Sequence, residues 1–139
     1  MVTSKVIYKG ELSTIATHIK SGTELITDAP IDNNGLGRSF SPTDLLATAL
    51  GSCMVTIMGI RANESKLNIE GTAITITKVM GANPRKVSEV KVEFEIVDRG
   101  LTDLNRKVLE KAALTCPVAL SLSESLKQTV SFCYTKAAD

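Results

Sequence analysis

From Lys5 to Ala29 apolar and polar positions alternate, with Ile15, Thr17 and Ile19 on one side and Thr14, Ala16, His18 and Lys20 on the other. That period of two belongs to half-buried strands. Gly10-Glu11 and Ser21-Gly22 punctuate it where glycine accommodates a positive φ, which predicts a meander of two or three short strands. Asp32-Asn33-Asn34-Gly35-Leu36-Gly37 favours turns over either regular structure and predicts a mobile loop.

Ser41-Pro42-Thr43-Asp44 opens a helix: Ser41 can cap, Pro42 suits the first turn, and Asp44 can close a capping box. The helix is expected to reach about Asn63. Its apolar residues, Leu45, Leu46, Leu50, Met54, Val55, Ile57 and Met58, surround most of the circumference and predict burial nearly all round. Ala73 to Thr77 and Val90 to Ile96 read as two strands joined through Gly81-Ala82-Asn83-Pro84, the second interleaving Glu89, Lys91, Glu93 and Glu95 with its apolar residues. After Gly100 a second helix carries Leu104, Val108 and Ala112 as an apolar stripe that Cys116 continues, so Cys116 should point inwards. Pro117 restarts a short helix to about Leu122, and Thr129 to Tyr134 alternates as a closing strand.

Strands separated by helices with no repeating βα unit predict an α+β fold, with antiparallel sheets packed on a long buried central helix. At 139 residues the chain suits one domain over 1–139, since single cores cluster at roughly 100 to 150 residues. A long helix apolar on all sides is hard to cover in so small a chain. A homodimer is therefore expected.

Composition narrows the partners. Sixteen Lys and Arg against fifteen Asp and Glu give a formal charge of +1, which offers a polyanion no attraction and argues against nucleic acid. Val6-Ile7-Tyr8 is interrupted by Lys5, Lys9 and Glu11, so no signal peptide is expected and the location is expected to be cytoplasmic. Thr48, Gly51, Ser52, Thr56 and Gly59 break the stretch from Leu45 to Ile60, which argues against a membrane span of about 20 apolar residues.

Candidate chemistry reduces to the thiols. One histidine, His18, and no Cys-x-x-Cys leave no zinc site, and no Gly-x-Ser-x-Gly accompanies His18. No metal and no organic cofactor is expected. Gly35-Leu36-Gly37-Arg38-Ser39-Phe40 departs from a dinucleotide fingerprint at Phe40. Of the three cysteines, Cys53 lies on the buried helix, where a thiol often serves as a small hydrophobe. Cys116 precedes Pro117 at the start of a helix, where the dipole should lower its pKa. Cys133 alternates along the last strand and reads as structural.

Ser41-Pro42-Thr43-Asp44-Leu45-Leu46-Ala47-Thr48-Ala49-Leu50-Gly51-Ser52-Cys53 resembles the first cysteine motif of the OsmC/Ohr family, and Thr115-Cys116-Pro117-Val118 resembles the second. The resemblance covers nearly the whole chain. It implies an intertwined homodimer and a thiol peroxidase that protects against oxidative stress by reducing organic hydroperoxides. In it Cys53 is the peroxidatic thiol and Cys116 the resolving one. Arg38, from the loop before the helix, activates the Cys53 thiolate. The reductant would be a dithiol such as a lipoylated protein. Thr43 stands where well-characterised members carry the glutamate that orients the arginine, and the acid has moved to Asp44. Nine residues separate Asp44 from Cys53, which at a helical rise puts it about 13 Å from its own thiol. Asp44 could steer Arg38 or reach another subunit's site, although the capping box already accounts for it. The alternative reading is a non-catalytic dimer of the same fold that binds a small apolar ligand or senses oxidants.

Overall fold

A computed structural model describes residues 1–138. They form two compact units, Met1–Leu46 and the chain from Ala47 onward. In the first, β1 (Ser4–Gly10), β2 (Ser13–His18) and β3 (Glu24–Asp28) make the antiparallel meander that the alternation predicts. Glu11 and Leu12 turn the first hairpin at positive φ, 53° and 62°, behind Gly10 at 83°. The register sets Ile7, Ile15 and Ile26 side by side, and Val6, Ala16 and Leu25 in the adjacent row. Neighbouring positions of a strand face opposite ways, so both faces of this small sheet carry an apolar row.

The segment expected to be a mobile loop is instead tied down. It contains a 3-10 turn, Ile31–Asn33, and leaves it through Asn34 in the left-handed region. The Gly37 N–H donates to the Ala29 carbonyl at 3.1 Å and the Asp28 N–H to the Phe40 carbonyl at 3.0 Å. The Ser39 hydroxyl donates to the Ile26 carbonyl at 3.0 Å.

α1 (Pro42–Glu64) starts where the sequence predicts, in a reciprocal box. The Asp44 N–H donates to Ser41 Oγ at 3.0 Å and the Ser41 N–H to Asp44 Oδ2 at 2.9 Å, so two otherwise orphaned donors are satisfied.

In the second unit α1 buries one stripe: Ala47, Leu50, Gly51, Met54, Met58 and Ala62. The expectation of burial all round is thus not met within one chain, since Leu46 and Ile60 stay exposed. By length and apolarity α1 would suffice to cross a membrane, yet its stripe joins the core formed with Val90, Val92, Phe94 and Ile96 of the second sheet. That sheet runs β4 (Ala73–Gly81), β5 (Lys86–Asp98), β6 (Lys127–Lys136) in spatial order. β4 and β5 are antiparallel, but β6 lies parallel to β5, so the sheet is mixed rather than antiparallel. The reason lies in the connection: α2 (Asp103–Leu114) and α3 (Pro117–Ser121) carry the chain back along the sheet before β6 begins.

α2 departs from its predicted face by one position. Leu109 and Ala113 are buried, whereas Leu104 is 71% exposed. One residue is about 100° of helix rotation, and tertiary anchors decide which side wins. Those anchors are visible. Thr102 and Asn105 form a capping box, and Arg106 pairs with Asp98 at 2.5 Å while its guanidinium lies 4.3 Å from the centre of the Tyr134 ring.

Candidate functional site

Cys53 sits on the middle of α1, half-buried and packed against the core. Cys116 caps α3 and is fully buried. Two chain segments far apart in sequence meet here: Cys116 belongs to the buried core and Cys53 packs against it. All three cysteines are free thiols. Gly51, two residues before Cys53, lets α1 close on β4: an added Cβ would lie 2.3 Å from Ile76 Cδ1.

The electrostatics of Cys116 reverse the expectation drawn from its helix cap. Its thiol is pushed above the ordinary value, first by burial. The Ala119 N–H, which donates to Sγ at 3.4 Å, works in the opposite direction, as does the Val118 N–H. The neighbouring Cys53 thiol also favours keeping the proton on Cys116. α3 has five residues, so the dipole at its start is small against desolvation of a buried thiolate. Cys116 is the proton holder of the pair.

Arg38 belongs to the tied loop of the first unit. Its Nε donates to Asp28 Oδ2 at 3.0 Å, its Nη2 to Oδ1 at 3.3 Å, and its backbone N–H to Oδ2 at 2.8 Å. The Arg38 bonds hold the Asp28 carboxyl below its usual range, the side-chain bond most strongly. Asp28 went unnoticed in the sequence, where it is one acidic residue at the end of a strand. Its signal was positional: a carboxylate closing β3 immediately before Ala29-Pro30, ten residues from Arg38. Asp44 serves the α1 cap, while the carboxylate beneath the Arg38 guanidinium is Asp28.

Cys133 lies on the exposed face of β6, opposite Glu95 in the register. His18 is exposed and bonded to Ser21 through Nδ1 at 2.6 Å, as expected of a solvated strand residue. Among the described residues no cluster of His, Cys, Asp and Glu could hold a metal ion.

The family model for OsmC-like proteins matches residues 35–131, a span that includes Arg38 and both site cysteines. The chain belongs to the OsmC-like family. A structure from Psychrobacter arcticus 273-4, provisionally described as an osmotic stress induced and detoxification response protein, is 50% identical with a TM-score of 0.91, the match covering 96% of each chain. An organic hydroperoxide resistance protein OsmC from Legionella pneumophila is 19% identical with a TM-score of 0.70, over 95% of this chain and 97% of that one. An organic hydroperoxide resistance protein from Elizabethkingia anophelis is 16% identical with a TM-score of 0.75, over 97% and 98%. At such identities the last two establish the fold alone. No curated protein matches.

Proposed function

We propose that this OsmC-like protein is a thiol peroxidase that reduces organic hydroperoxides through Cys53 and Cys116, in the cytoplasm, where thiols are kept reduced. The observation that carries the reading is that Cys53 packs against the same apolar core that buries Cys116, with Cys116 the thiol that retains its proton. Cys53 is assigned the attacking role in the pair. Its thiolate attacks the terminal oxygen of the hydroperoxide, the O–O bond breaks, and the alkoxide leaves with a proton as an alcohol. The Cys53 sulfenic acid that results is attacked by Cys116, which gives up its proton, and water departs as the disulfide forms. A dithiol, such as a lipoylated protein, reduces that disulfide by exchange.

The same reading takes the protein to be a homodimer. Apolar rows on both faces of the β1–β3 sheet, with Val6, Ile7 and Ile26 exposed, call for cover that a second copy can supply.

One equivalent of cumene hydroperoxide mixed with the reduced protein tests the chemistry, free thiols being followed by mass spectrometry. Rapid loss of two thiols into a Cys53–Cys116 bond, with a sulfenic acid trapped on Cys53 in Cys116→Ser, supports the peroxidase. Unchanged thiols overturn it in favour of a binding role for the fold.

A further inference from the structure

We infer that Gln128 is a positioning residue for the resolving thiol, holding α3 through Ala119 so that a backbone N–H stays on Cys116 Sγ; this rests on the Cys53–Cys116 chemistry proposed above. β6 turns Gln128, Val130, Phe132 and Tyr134 to its partly buried side, and Gln128 is the amide at the head of that row. A half-buried amide facing a core needs a partner. Gln128 Nε2 donates to the Ala119 carbonyl at 3.0 Å. That carbonyl is among the last four of a five-residue helix, which has no N–H of its own to give it. The donor comes from β6 instead.

The same residue carries the donor that meets the thiol. Cys116 stands at the cap of α3, Pro117 after it has no N–H, and the Ala119 N–H donates to Cys116 Sγ at 3.4 Å. Ala119 is therefore gripped on both sides, its N–H by the sulfur and its carbonyl by Gln128. A thiolate gains more from an N–H donor than a thiol does, and a buried one has no water to take the donor's place. In the proposed cycle Cys116 gives up its proton to attack the Cys53 sulfenic acid, and it leaves as a thiolate when the reducing dithiol attacks the Cys53 sulfur. Both steps draw on the Ala119 N–H. Cys53 itself lies on α1 and has no part in this grip.

A two-step disulfide exchange tests the grip without any peroxide. The full chain carrying Cys133→Ser is mixed with one equivalent of dithiobisnitrobenzoate across a pH series, and the coloured aromatic thiolate is followed by absorbance. The Cys53 thiolate displaces one aromatic thiolate and becomes a mixed disulfide. Cys116 then attacks the Cys53 sulfur, the second aromatic thiolate leaves, and the Cys116 proton passes to water as the Cys53–Cys116 bond forms. Cys53, the ionisable neighbour that acts on Cys116, carries no charge in the mixed disulfide, so the pH profile of the second phase reports Cys116. Gln128→Met keeps the length and loses the donor. It is expected to raise the midpoint of the second phase by about one pH unit. Below that midpoint the second phase should slow by about threefold, since a more basic thiolate is scarcer but also more nucleophilic, while the first phase keeps its rate. An unchanged second phase in folded Gln128→Met overturns the inference, as does an equal slowing of both phases. Should that variant fail to fold, Gln128→Glu, whose carboxylate accepts and does not donate, carries the same expectation, and an unchanged second phase there overturns it equally. A single aromatic thiolate released by the Cys133→Ser parent overturns the pairing of Cys53 with Cys116 and the inference with it. Cumene hydroperoxide consumption judges the peroxidase reading separately.

Discussion

Fully buried Cys116 belongs to the core against which half-buried Cys53 packs, and burial together with this neighbour favours the proton on Cys116. Under limiting iodoacetamide at neutral pH, with exposed Cys133 replaced by Ser, Cys53 is therefore expected to be labelled before Cys116. Prior labelling of Cys116 would show that the pair ionises in the opposite order.

Loop geometry makes Gly35 intolerant of a side chain, because the nearest atoms to an added Cβ are backbone: the Ala29 carbonyl oxygen at 1.7 Å and its carbon at 2.1 Å. Gly35→Ala should cost about 1–3 kcal/mol, as overpacked sites do. A drop in the thermal midpoint checks this, and a midpoint equal to the parent's would contradict it.

Acid sensitivity should trace to Asp28 and Asp98. Arg38 holds the Asp28 carboxyl low, and the Leu101 N–H, then Arg106, hold that of Asp98 low. Both bind protons more weakly in the folded chain than in the unfolded one, so their contribution is complete above the ordinary carboxylate pKa of about 4 and is lost as pH falls below it. Asp98→Asn is expected to be less stable at neutral pH and to show a flatter acid limb in denaturant titrations at a series of pH values.

At the alkaline end the relevant group is Tyr134, whose pKa is pushed from 10.0 up to about 12 by burial and by the Glu110 carboxylate, with Arg106 opposing. The unfolded chain then releases the phenol proton first, and stability should fall as pH rises from 10.0 to about 12. Tyr134→Phe keeps the ring beneath Arg106 and removes the hydroxyl. Its stability should be flatter over that interval.

For the assembly, light scattering at micromolar concentration should return twice the chain mass, and the melting temperature should rise with protein concentration. A monomer would leave the apolar rows of the β1–β3 sheet without the partner proposed for them.

Much of this protein is legible in the order of its residues because the signals are local. The alternation before Ala29 and the Ser41-Pro42-Thr43-Asp44 cap each depend on near neighbours, and each holds in the structure as strands and a capping box, while both cysteine motifs fall in the span that the OsmC-like family model matches. Three features depended on distant groups. The buried face of α2 was set by Asp98 and Tyr134 gripping Arg106, which turned the helix one position from its apparent stripe. The proton balance at Cys116 was set by desolvation and by Cys53, contributed from a helix more than sixty residues earlier, against which a short helix dipole is weak. The seat of Arg38 was set by Asp28, across a loop whose closure no pairwise spacing announces. Periodicity and caps are properties of adjacent backbone, so the sequence alone determined the elements and the thiols. Burial and charge are sums over whatever the fold brings near, and only the tertiary structure could decide which thiol keeps its proton and which carboxylate holds the arginine.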